Sequence, residues 1–81
     1  MRLEVTHRAR RQYQDLPKRL RDRVDKQLSA LLTNLRHPSL HAKKYDERRD
    51  VWQGRVNRDY RFYFTIEGDT YRILSIVPHP K

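Results

Sequence analysis

The order of apolar and polar positions divides the chain near His37 into a helical half and a strand half. Leu3 and Val5 alternate with Glu4, which predicts a short first strand. Thr6 follows as an N-cap for a helix over about residues 7–15, with Ala9, Tyr13 and Leu16 at helical spacing. Pro17 restrains Leu16 from the helical region and suits the first position of a second helix. Along that helix Leu20, Val24, Leu28, Leu31 and Leu35 recur at three- and four-residue steps, while Asp15/Arg19, Arg21/Asp25 and Asp22/Lys26 have the spacing of surface ion pairs. The stripe is short and strands come after it that need a cover, so it predicts a core face rather than a zipper. Asn34 to Pro38 ends the helix.

Residues 37–50 read as a polar connector with weak periodicity. Three strands are expected beyond it, over about residues 51–56, 60–66 and 70–77. The joints Asn57-Arg58-Asp59 and Glu67-Gly68-Asp69 are short, which implies consecutive antiparallel hairpins. The last run, YRILSIV, is apolar on both faces and suits a central strand. The expected fold is α+β, in the order β-α-α-β-β-β. Two N-terminal helices would pack on one face of a small, mainly antiparallel sheet, in one domain over residues 1–81.

Strand alternation through VWQGRVNRDYRFYFT sorts the chemistry. Trp52, Val56, Phe62 and Phe64 fall on one side as core; Gln53, Arg55, Arg61 and Tyr63 fall on the other. The second set is a row of guanidiniums, an amide and a phenol on an open sheet face, groups that bind phosphates and stack on bases.

Composition sharpens this picture. Lys and Arg outnumber Asp and Glu by 19 to 10, and 14 of the 19 are arginine. Guanidinium matches phosphate with parallel hydrogen bonds, so the bias favours a polyanionic partner. A chain of 81 residues has little room for a deep pocket, so a site is expected on an open face. Without cysteine, disulfides, thiolate chemistry and cysteine-bound zinc are excluded. His37 and His41 have metal-ligand spacing, but Pro38 breaks a continuous helix between them and no carboxylate set completes a site; no cofactor is expected. Asp46, Glu47 and Asp50 read as a solvated acidic cluster. No apolar run spans a membrane, and MRLEVTHRARR has no signal-peptide core, so a cytoplasmic protein is expected.

The two helices, the run W-x-x-R-V-x-x-D-Y-R-x-x-F, and an apolar strand ending in His79 together resemble the RelE/ParE superfamily of small bacterial toxins. Lys43-Lys44-Tyr45 ahead of the sheet and the Tyr60-Arg61 pair belong to the same ordered set. The resemblance implies a toxin held inactive by a cognate antitoxin protein. Its RelE-like branch is similar to ribosome-dependent ribonucleases that cut messenger RNA; its ParE-like branch poisons DNA gyrase without catalysis. By resemblance, Arg61 falls at the scissile phosphate and Arg55 at a basic position on the neighbouring strand. Asp59 and Tyr60 match a functional Asp-aromatic pair, and His79 matches a catalytic histidine. Gln53 stands where RelE has lysine, and the tail tyrosine of RelE has no counterpart before Lys81. His41 lies near a position that YoeB-like toxins fill with glutamate.

The resemblance thus implies a metal-independent endoribonuclease that acts on messenger RNA in the ribosome. Arg55 and Arg61 would neutralise the phosphate and His79 would transfer a proton, because a histidine exchanges protons near neutral pH. Gln53, Arg58, Asp59, Tyr60, Tyr63, Lys43 and Lys44 would contact RNA, and Arg8, Arg11, Arg19 and Arg23 on the helices would meet ribosomal RNA phosphates. The alternatives are a ParE-type gyrase inhibitor and a decayed toxin that only binds antitoxin. On its own, a histidine between Pro78 and Pro80 is a solvated tail residue, and sheet-surface arginines are ordinary charges.

Overall fold

Thr6 joins the first strand to the first helix and anchors both. Its hydroxyl accepts the Ala9 N–H at 3.2 Å and donates to the Leu74 carbonyl at 3.1 Å. The computed structural model describes residues 1–80, as β1 (Arg2–Val5), α1 (His7–Gln14), α2 (Lys18–Thr33), a 3-10 turn (Pro38–Leu40), β2 (Lys43–Asp46), β3 (Val51–Arg55), β4 (Tyr60–Glu67) and β5 (Thr70–Pro78). The strands form one sheet in the order β1-β5-β4-β3-β2. It is antiparallel except for β1, which runs parallel to β5. The helices cover one face, as the apolar pattern predicts.

Three details depart from the sequence reading. Residues 43–46 are a strand rather than connector, paired with β3 at the sheet edge. Four residues are too few for alternation to show, and a bulge between Lys44 and Asp46 breaks what there is. Pro17 is the N-cap of α2 rather than its first residue; its carbonyl accepts from Leu20 and Arg21 at 2.9 and 3.0 Å. The expected ion pairs along α2 are replaced. Asp22 meets Lys18 at 2.9 Å, Asp25 accepts the Tyr13 hydroxyl at 2.8 Å, and Arg21 donates to the Leu16 carbonyl at 2.7 Å. Exposed ion pairs are worth little, so for Asp25 and Arg21 the hydroxyl and the carbonyl within reach decide the partners.

The core lies between the helices and the sheet. Phe62, Phe64, Val56 and Ile73 are fully buried against Val24, Leu31, Leu40 and Ala9. Trp52 stacks on Phe64 at 6.2 Å between ring centroids, and Phe64 stacks on Phe62 at 5.5 Å. Burying each phenylalanine stabilises the fold by about 1.5–3 kcal/mol. The two-faced look of YRILSIV has a local cause. A register shift opposite Tyr63 and Phe64 makes Leu74 an extra residue, so that Ile73 and Ile76, three apart, both reach the core.

The short β1 leaves the last residues of β5 without a strand partner on that side, and α1 takes its place. Gln12 Oε1 accepts the Ile76 N–H at 2.8 Å, and Thr6 satisfies Leu74. A second buried amide, Gln27, ties α2 to the sheet. Its Nε2 donates to the Arg55 carbonyl at 2.9 Å and to the Ser39 carbonyl at 3.1 Å, with the residue fully buried. Gln27 therefore sets where Arg55 and the turn before His41 sit.

Candidate nucleic-acid interface

Across the sheet face opposite the helices, Arg55 pairs directly with Arg61, and Gln53 with Tyr63. Lys43 pairs with Gln53 from the other side. Two cations placed opposite each other repel, so something must hold them. That something is the β3–β4 turn. Asn57 Oδ1 accepts the N–H groups of Asp59 and Tyr60, both at 2.9 Å, and so closes the turn. The turn's carbonyls then face the arginines. Arg61 Nη1 donates to Asn57 at 2.6 Å and to Tyr60 at 2.9 Å, while Arg55 Nε reaches the same Asn57 carbonyl at 3.4 Å. Among the described residues no carboxylate pairs with either guanidinium. Nε and Nη2 of Arg61 have no protein acceptor there, which leaves donors for an anion.

His41, Lys43, Gln53, Arg55 and Arg61 line one groove, of about 410 Å³. His41 holds a left-handed backbone at φ 45°, uncommon for a residue with a side chain. Sequence reasoning weighs His41 only as a metal ligand or a stand-in for glutamate. Strand β2, which carries the chain to Arg55, is the signal it lacks. Among the described residues no cluster of three His, Cys, Asp or Glu could hold a metal.

The other predicted residues are distributed over the surface. Gln53 is 8% exposed and its Oε1 accepts the Tyr63 hydroxyl at 3.3 Å, so it positions Tyr63 from the neighbouring strand. Burial, and then the neighbouring Tyr45, push the Tyr63 phenol up, against the opposing pull of Arg61. Tyr63 lines a second groove with Tyr45, Arg8 and Arg49. Lys44 pairs opposite Trp52, on the covered face, where its ammonium lies 5.1 Å over the indole and bonds Asp50. The Asp50 bond raises its pKa. Strand alternation thus turns Lys44 away from Lys43, onto the face opposite the one that carries the arginine pair, and apart from the groove expected to contact RNA.

Arg58 and Asp59 are exposed on the β3–β4 turn, and Tyr60 is half-buried. Tyr60 and Asp59 share a hollow with Arg19 and Arg23 on the helix side, where Arg23 Nε is engaged by the Val56 carbonyl at 2.8 Å. Arg11 lies on the outer face of α1 beside Asp15. His79 is exposed, and its N–H bonds the Asp59 carbonyl at 2.7 Å. It thus extends β5 beside the turn that Arg61 grips. In strand order, His41 leads into β2 and His79 comes after β5, with Arg55 and Arg61 between them.

A family model described as ParE toxin of type II toxin-antitoxin system, parDE, matches residues 3–80. The chain belongs to this toxin family. Solved structures agree on the fold. The toxin chain is similar to a YoeB/ParE toxin from Agrobacterium tumefaciens, with TM-score 0.83 and 14% identity over 99% of this chain and 100% of that one. It is similar to the YoeB chain of a YoeB-YefM heterotetramer from Staphylococcus aureus, with TM-score 0.79 and 16% identity over 99% and 98%. The RelBE2 toxin-antitoxin complex of Mycobacterium tuberculosis matches with TM-score 0.77 and 21% identity over 96% of both chains. No curated protein sequence matches the chain. The RelE/ParE resemblance, carried by the helix pair, the strand run and the ending in His79, is therefore established as membership of the superfamily. No helix among the described residues is long and apolar enough to cross a membrane.

Proposed function

We propose that this toxin cleaves messenger RNA in the ribosome and that a protein antitoxin holds it inactive. The observation that carries the reading is the pair Arg55 and Arg61, held face to face by turn carbonyls with donors to spare. Such a pair is relieved by one anion with two or three oxygens, and a phosphodiester fits. The RNA 2′-oxygen attacks phosphorus, its proton passes to a base, the P–O5′ bond breaks, and an acid protonates the leaving 5′-oxygen. The arginines stabilise the extra charge at phosphorus, and the reaction needs no cofactor. His41 and His79, bracketing the arginines across the sheet, are the two proton carriers. Both are exposed, so the ribosome supplies the positioning that an open groove does not, and the site of action is the cytoplasm.

The match to a ParE model favours a second reading, inhibition of DNA gyrase through the same basic faces without cleavage. Mapping message ends in an in vitro translation reaction, beside a gyrase supercoiling assay, separates the two. Codon-phased cuts with normal supercoiling support the first; intact messages with blocked supercoiling assign the second.

A further inference from the structure

Tyr45 is no part of the site expected from sequence, yet it is the most exposed aromatic residue among the large hydrophobic side chains, at 62%. It belongs to the β2 bulge, a distortion that re-aims side chains at a sheet edge. Its ring stands edge-on to Tyr63, 4.7 Å between centroids and 60° between planes. The tyrosines form one wall of a groove of about 410 Å³, with Val77 and Pro80 as further apolar lining. Arg8 reaches it from α1 and Arg49 from the β2–β3 turn. The single carboxylate lining it, Asp46, accepts the N–H groups of Arg48 and Arg49 at 3.0 and 3.2 Å through one oxygen and meets the Arg49 guanidinium at 3.8 Å through the other, a long, exposed pair that Arg49 can share with an incoming anion. A flat, apolar-walled slot flanked by two guanidiniums matches a base attached to phosphates.

Register sets its place relative to the arginine pair. Tyr63 is two residues from Arg61 on β4 and on the same face, a step of about 7 Å, the scale of one nucleotide. We propose that the Tyr45–Tyr63 groove binds a nucleobase of single-stranded RNA, one nucleotide from the phosphate held at Arg55 and Arg61. This rests on the RNA reading above. The Gln53 bond fixes the Tyr63 phenol, so Tyr45, with no such bond, is the ring that adjusts to the base. Stacking tolerates any base, so the groove contributes affinity and register rather than strict sequence choice.

The test uses the full chain and two probes at low salt: a 2′-O-methyl RNA trinucleotide, and the same trinucleotide with one base removed. Affinities are followed by NMR shift titration. Wild type should bind the intact probe roughly ten- to a hundredfold more tightly than the abasic one. Tyr45→Ala should erase that preference while leaving abasic affinity unchanged, and Tyr45→Phe should keep it. At 62% exposure, Tyr45 is not a folding determinant. If Tyr45→Ala retains the preference, the nucleobase site is wrong while the RNA-binding face survives. If wild type binds neither probe saturably, the RNA reading beneath it fails. If Tyr45→Ala leaves RNA binding intact but weakens an antitoxin complex, the groove docks protein and the proposal is overturned.

Discussion

Replacing Gln27 with leucine should be among the most damaging single changes in this toxin, although no substrate touches it. Its side chain is fully buried and its Nε2 is shared between the carbonyls of Arg55 and Ser39. Leucine matches it in bulk but leaves both carbonyls without that donor. Each unsatisfied buried acceptor costs about 1–3 kcal/mol, and leucine recovers part by being apolar, so the net loss is about 2–4 kcal/mol. In a chain this small the urea slope is about 1 kcal/mol/M, which lowers the midpoint by about 2 M or more. Gln14→Leu, on the exposed end of α1, provides the control and should stay within about 0.5 kcal/mol. Urea titration followed by Trp52 fluorescence measures both. A Gln27→Leu midpoint equal to that of the control would refute the claim that this amide joins helix to sheet. Because Arg55 is one of the two proposed phosphate anchors, a folded remnant of the variant should also lose phosphate binding.

Gly54→Ala places a Cβ against the Phe62 ring, with Cε1 at 2.6 Å and Cε2 at 2.8 Å, and should destabilise by about 1–3 kcal/mol or more; Phe62→Leu in the same chain should restore part of the loss, and a lone Gly54→Ala with wild-type stability contradicts the packing. His79→Gln and His41→Gln should each slow the chemical step roughly a hundredfold with little change in ribosome affinity, and each should remove one limb of the pH–rate profile. A His79→Gln enzyme with the wild-type rate and profile leaves that residue a solvated tail. Tyr13 is raised by its hydrogen bond to Asp25, and Tyr63 by burial. A raised folded pKa means the folded state holds those protons more tightly. The stabilisation is therefore whole below about pH 10 and lost as pH rises through the folded values. Stability from pH 9 upward should fall less steeply in Tyr13→Phe/Tyr63→Phe than in wild type, and parallel curves would contradict the assignment.

The strands and helices are legible in the sequence because their apolar spacing is regular, and the pairing of Arg55 with Arg61 comes from a two-residue period across a short turn. What escapes are features that break a period. The bulge at Tyr45 hides β2 and with it the second groove, and the bulge at Leu74 mimics a doubly apolar strand. Gln27 lies three residues after Val24 and four before Leu31, on the buried face, but its side-chain type hides it from an apolar pattern, because its burial depends on carbonyls 12 and 28 residues away. Lys44 next to Lys43 looks like part of one basic patch; only the pleat separates them. His79 is legible as the residue that follows the last strand, whereas His41 sits in a turn whose left-handed backbone the sequence does not announce.

The central claim is that the Arg55–Arg61 pair performs RNA chemistry, and single-turnover cleavage on programmed ribosomes by wild type and Arg61→Ala tests it most directly. The Arg61 side chain is partly exposed and contacts only turn carbonyls, so the variant should remain folded. Wild type should cut the message at codon-phased positions, and Arg61→Ala should be on the order of a hundredfold slower or worse at saturating enzyme. A folded Arg61→Ala protein that cuts at the wild-type rate, or a wild-type protein that leaves the message intact, would contradict the account.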